Sequence, residues 1–217
     1  MSTLDPNLTR TQFLLWLGQK LDPAAPLYNM IQTFAFDGDL DAAVFGRAWD
    51  LVVAGSDALR TVVDEVDGQP HQHVLAHAPV RVEVHDLSAE PDPEQAAADW
   101  VADRRLRLLD LGRRLWDTAL LKVGPARWVW YLCQHHLITD GASFRATYVR
   151  QADVYASLLA GEAPATAWPQ FADYRAQELA RRAAPETERA EAFWRAQVAA
   201  PADPLHYFGP VPAHREA

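Results

Sequence analysis

The feature that most constrains this chain is an unbroken apolar run, Trp128-Val129-Trp130-Tyr131-Leu132-Cys133, running into Gln134-His135-His136. The run reads as a buried strand. Asp140-Gly141 follows as a turn signal, and a helical pattern begins soon after it. The two histidines therefore fall where the backbone leaves the core. Neighbouring strand residues point to opposite faces, so one histidine is expected to face inward and the other a cleft.

The rest of the chain supplies elements to hold that corner. Residues 8–21 carry Phe13, Leu14, Leu17 and Leu21 at helical spacing, with Trp16 beside them and Thr9 or Thr11 as cap. Pro23 and Pro26 end that helix. Residues 28–36 alternate as a strand. A helix over 40–54, capped by Asp39 or Asp41, has Val44, Phe45, Ala48, Trp49, Val52 and Val53 as its apolar face. Residues 59–66 and 72–75 form a hairpin about Asp67-Gly68. A strand over 80–84 and a helix from Pro91 to about Leu108 come next, then a hairpin of 115–123 with 128–134. Helices over 144–159, 170–183 and 186–198 complete the pattern. The Pro-rich stretch 199–217 reads as a linker with no core of its own, and gives the chain the look of a cut fragment. The fold class is α/β (α+β): a mixed or antiparallel sheet packed by helices.

The formal charge of -9 over 217 residues argues against duplex nucleic acid as a partner. A single cysteine, Cys133, allows no internal disulfide and fits a cytoplasmic location. The N-terminus lacks a signal-peptide pattern, and no run approaches the ~18 apolar residues of a membrane span.

A histidine at a strand end serves either as a satisfied core group or as a proton acceptor near neutral pH. Asp140 is placed to bond backbone or an arginine, and Gly141 to permit a tight conformation. A hydrolase-type triad needs a nucleophile, but Cys133 belongs to the apolar strand and Ser143 reads as a helix cap. Adjacent histidines on a strand chelate poorly. His71 and His73 share a face but lack a third ligand, so no metal site is expected.

His135-His136-Leu137-Ile138-Thr139-Asp140-Gly141 resembles the HHxxxDG signature of the chloramphenicol acetyltransferase-like superfamily. Within it the chain most resembles condensation domains of nonribosomal peptide synthetases. Thr11-Gln12-Phe13-Leu14-Leu15-Trp16, Asp57-Ala58-Leu59-Arg60-Thr61, Leu109-Asp110-Leu111 with Leu115, Ala172-Asp173-Tyr174 and Phe193-Trp194 are similar to further motifs of that family, in order. The likeness spans about residues 8–205. Two departures stand out: Gly55-Ser56 where the family has Arg-His, and Gly112-Arg113-Arg114-Leu115 where it has Gly-Pro-Leu.

The resemblance implies the N-terminal lobe of a two-lobed enzyme, residues 1–198, with 199–217 leading to a missing C-terminal lobe. It implies amide formation between a carrier-bound acyl or peptidyl donor thioester and an aminoacyl acceptor, with the isolated lobe inactive. By the same resemblance His136 is catalytic and Gly141 offers an amide to the oxyanion. His135 and Asp140 are structural, with Arg60 as the ion-pair partner of Asp140. No cofactor is bound directly; substrates ride on the phosphopantetheine of carrier proteins. The implied partners are those carriers, the second lobe and adjacent synthetase domains, with neither nucleic acid nor membrane. A related ester- or acetyl-transferring enzyme and a non-catalytic carrier-docking module are the alternatives.

Overall fold

A computed structural model describes residues 7–77, 79–182 and 184–199. The chain forms two compact units, residues 1–175 and 176–217. In order, the first contains α1 (Arg10–Leu21), β1 (Asn29–Asp37), α2 (Ala42–Gly55), the single turn α3 (Asp57–Arg60), β2 (Thr61–Val66) and β3 (Gln69–Val74). It continues with β4 (Glu83–Asp86), α4 (Pro93–Arg104), β5 (Trp116–Gly124), β6 (Arg127–His135) and α5 (Gly141–Leu159). Residues of α6 (Phe171–Arg182) fall in both units, and α7 (Pro185–Gln197) lies in the second.

The main sheet has the order β1-β6-β5-β4. The β5–β6 hairpin and the β1–β6 pair are antiparallel, whereas β4 runs parallel to β5. Parallel strands need a crossover, and α4 provides it. This mixed sheet packed by helices is the expected fold class. A β2–β3 hairpin forms a second sheet, its turn made by Asp67 and Gly68, both at positive φ (52° and 76°).

Both faces of β6 are covered, which is why its apolar run does not alternate. Trp128, Trp130 and Leu132 join the larger core with Phe45, Ala48, Trp49, Val52 and Val53 of α2, and Val44, the remaining residue of the expected face, is buried too. Trp49 is fully buried, edge-on to Trp116 at 5.2 Å between centroids. Tyr131, on the opposite face, meets Trp100 of α4 edge-on at 5.3 Å.

Three expectations need correction. The buried face of α1 is not Leu14, Leu17 and Leu21, which are 57%, 41% and 81% exposed. The buried residues are Gln12 and Trp16. Gln12 is satisfied there by donating to Leu137 O (2.9 Å) and accepting from Thr9 N (3.0 Å) and Gln72 Nε2 (3.0 Å). Pairing of β4 begins at Glu83 rather than Val80, because the Val80 amide donates to Asp50 Oδ1 at 2.8 Å instead of to a ladder. Helix α4 stops at Arg104, a turn before Leu108. The Arg104 guanidinium binds Asp117 (Nε–Oδ2 2.5 Å) and Glu83 (3.1 Å) across the sheet.

In the second unit α7 carries the i, i+3 and i, i+4 pairs Arg189–Glu186 and Arg195–Glu191. Phe193 and Trp194 are largely exposed. Apart from Ala199, the stretch read as a linker lies outside the described residues. Among those described, no helix is long and apolar enough to cross a membrane.

Candidate active site

The histidine corner is pinned from both sides of the sheet. His135 N donates to Leu115 O and His136 N to Tyr28 O, each at 2.8 Å, so the backbone just before β5 and just before β1 grips successive residues. His135 closes β6 and is 2% exposed. Its Nδ1 accepts the Leu137 amide at 3.1 Å, which puts the ring proton on Nε2. That Nε2 is buried without a partner among the described residues. Desolvation first, and the neighbouring His136 second, push its pKa down to about 4.

His136 has the opposite tautomer. Its Nδ1 lies 2.7 Å from Thr139 O, and a carbonyl only accepts, so Nδ1 carries the proton. Nε2 is left with a lone pair. The residue is half-buried and lines a cavity of about 480 Å³ between α1, α3, α5 and the start of α6. Helix α1 holds this corner through Gln12, whose amide reaches Leu137 O as described above. The Thr9–Gln12 capping box thus does local and long-range work at once.

Asp140 is the N-cap of α5. Its carboxylate accepts from Ser143 N (2.8 Å) and Ser143 Oγ (2.5 Å), while Asp140 N donates to Ser143 Oγ (2.8 Å). These bonds, the Ser143 hydroxyl first, hold its pKa below the usual carboxylate range. The expected ion pair with Arg60 does not form. Arg60 Nη1 donates instead to Leu75 O at 2.8 Å on the β2–β3 side, and its Nε is buried without a partner among the described residues. Serving as the third residue of the capping box occupies Ser143, which is therefore not the cap itself.

Gly141 has no unusual φ, contrary to the tight conformation expected of it. A Cβ built there meets nothing within 4 Å. Its N–H belongs to the first turn of α5, where no intrahelical acceptor exists. It lines a separate cavity of about 220 Å³ with Met30, Gln32, Arg145 and Tyr148. Ala142, Ser143, Ala146 and Thr147 of the same helix face the larger one. The structure thus brings His136 and Asp140 into one cavity and leaves Gly141 on the opposite stripe of α5.

Asp57 is a functional group that sequence reasoning placed in a motif without a role. It is buried, and its carboxylate accepts the amides of Phe171 and Ala172, both at 2.7 Å, capping α6. Gln170 completes the clasp: Oε1 accepts from Asp57 N (3.0 Å) and Nε2 donates to Gly55 O (3.0 Å). A Cβ on Gly55 would collide with the Trp168 ring and lie 2.7 Å from Thr166 O. The 166–168 segment therefore fills the space that a side chain at 55 would take. Cys133 is buried, and desolvation pushes its thiol up to about 12, which removes it as a nucleophile. Among the described residues no three His, Cys, Asp or Glu side chains group to hold a metal.

Comparison with known proteins bears on this site. The family model described as condensation domain matches residues 5–214. The chain is 36% identical over 184 residues to an isonitrile lipopeptide synthase of Streptomyces coeruleorubidus, covering 83% of this chain and 12% of that protein. It is 31% identical over 190 residues to enterobactin synthase component F of Escherichia coli, covering 84% of this chain and 14% of that one. Among solved structures, the starter condensation domain of rhizomide synthetase superposes with a TM-score of 0.84 at 30% identity. The first condensation domain of the calcium-dependent antibiotic synthetase, with a substrate analogue, gives 0.78 at 33%. Each covers 91% of this chain, whereas the chain spans 48% of either structure, about half their length.

Proposed function

This chain belongs to the condensation domain family, and on that premise we propose that it is the N-terminal lobe of a nonribosomal peptide synthetase condensation domain. The reaction joins a carrier-bound acyl or peptidyl thioester to the amine of a carrier-bound aminoacyl thioester. Both substrates arrive on phosphopantetheine arms, so the partners are carrier proteins, the second lobe and neighbouring synthetase domains. A lone buried thiol, Cys133, agrees with a reducing cytoplasm.

One observation carries the reading: Nδ1 of His136 is fixed to Thr139 O, with the residue lining the 480 Å³ cavity. The free Nε2 accepts a hydrogen from the acceptor amine and aligns its lone pair on the thioester carbon. The C–N bond forms as charge gathers on the carbonyl oxygen. The first-turn amide of Gly141 and the positive end of α5 suit that charge. Collapse breaks the C–S bond, the thiolate of the donor arm takes the proton, and the amide remains on the acceptor arm.

The test is turnover in a two-lobe protein containing this chain, with aminoacyl and peptidyl carriers as substrates. His136→Ala is expected to abolish product while the unfolding transition stays in place. Undiminished turnover removes His136 from this role. The chain alone is expected to show little or no activity, and turnover equal to that of the two-lobe protein would refute the half-site reading.

A further inference from the structure

Arg150 lies on the same stripe of α5 as Ser143 and Thr147 and lines the larger cavity together with His136. Its guanidinium carbon sits 4.9 Å from the centroid of the Trp168 ring. Trp168 is itself held over Gly55, where there is no side chain to displace it. The arginine is half-buried, and desolvation alone acts on it, pulling its pKa down without any carboxylate to oppose that. The cavity does contain two carboxylates, Asp57 and Asp140. Each is already bound to the amides at a helix N-terminus, Asp57 at α6 and Asp140 at α5. The cation is thus the one charged group of this cavity without a compensating partner among the described residues.

A guanidinium held over an aromatic ring through its carbon spends no N–H hydrogen bond there, so its N–H fork stays available. Such a fork fits a planar carboxylate or a phosphate. Along α5, Arg150 stands roughly 15 Å from Asp140, at 1.5 Å per residue. A ligand reaching from the histidine corner into this cavity would place a remote group there, not its reacting atoms.

We propose that Arg150 is a specificity-determining residue that binds an anionic group of the substrate, carboxylate or phosphate, while held over the Trp168 ring. The proposal rests on the reading of this cavity as substrate-bearing. The anion has two sources: an acidic side chain on the substrate, or the phosphate of the arm that carries it.

Titration of the chain, followed by backbone amide NMR shifts, separates them with two matched pairs of probes. Phosphopantetheine is set against pantetheine, and N-acetylglutamate against N-acetylglutamine. At least one anion is expected to bind about tenfold more tightly than its neutral partner, the value of a charge-assisted hydrogen bond. Whichever pair shows the preference identifies the source. Arg150→Gln is expected to erase the preference with the thermal transition unmoved, and Arg150→Lys to retain only part of it. Equal binding within both pairs, absence of binding by all four probes, or a preference that survives Arg150→Gln overturns the proposal. Lost turnover in His136→Ala with no anion preference anywhere sinks this inference alone. Undiminished turnover in that variant with the preference intact sinks only the catalytic reading.

Discussion

Asp57 accepts the amide hydrogen of Phe171 at 2.7 Å across 114 positions of sequence. With the Ala172 amide it makes the acid of α3 the cap of α6, so one wall of the larger cavity is fastened to another by a buried carboxylate. Asp57→Ala strands two first-turn amides and is expected to cost about 2 kcal/mol. Asp57→Asn keeps an acceptor and is expected to cost less. Urea unfolding of the two variants checks this; equal, near-zero losses would contradict the clasp.

The cap on α5 is weaker and more local. Asp140→Ala is expected to cost about 1 kcal/mol, the ordinary value of a lost N-cap. Breaking a buried ion pair would instead cost about 3–5 kcal/mol. Because Arg60 bonds to Leu75 O and not to Asp140, the double variant Asp140→Ala/Arg60→Ala is expected to be additive within about 0.5 kcal/mol. A larger coupling energy in that cycle would restore the pairing.

His135 makes stability depend on pH. Its pKa falls from 6.5 when unfolded to about 4 in the fold, so the unfolded chain binds the proton first. Stability is full above pH 6.5 and is lost as pH falls from 6.5 toward 4, by about 3 kcal/mol in all. His135→Asn preserves an acceptor for the Leu137 amide and removes the titration. Unfolding free energies measured at pH 7 and pH 5 are expected to converge in that variant and to differ in the parent.

Gly141 separates stability from activity. Nothing surrounds the position of a Cβ, and its backbone is ordinary helix, so Gly141→Ala is expected to leave stability unchanged or raise it by up to about 1 kcal/mol. Turnover in a two-lobe protein is expected to fall, because the methyl group would stand beside the amide offered to substrate. A variant as active as the parent would show that glycine is not required for the reaction.

What the sequence disclosed follows the range of the forces involved. The turn at Asp67-Gly68 and the apolar face of α2 are set by neighbours within a few residues, and the chain reveals them directly, whereas the cap of α2 was narrowed only to Asp39 or Asp41. The double histidine was legible as a strand end for the same reason. The face of α1 was not: apolar residues lie on several sides of it, and burial of Gln12 depends on Gln72 and Leu137, 60 and 125 positions away. Arg60 was the wrong partner for Asp140 because a serine three residues on takes the carboxylate in place of a distant arginine. The role of Asp57 had no local signal, since its partners come from the far end of the unit.

The tautomer of His136 is imposed by a carbonyl oxygen of the main chain, at Thr139. No codon change deletes that oxygen, because every residue at 139 supplies one. The orienting acceptor of this histidine is therefore out of reach of point substitution, unlike a carboxylate that a single mutation removes. Only a change that moves the loop, through the Asp140–Ser143 cap or the Gln12–Leu137 tether, alters it. Variation at Thr139 is thus free to reshape the cavity while the imidazole keeps its protonation pattern.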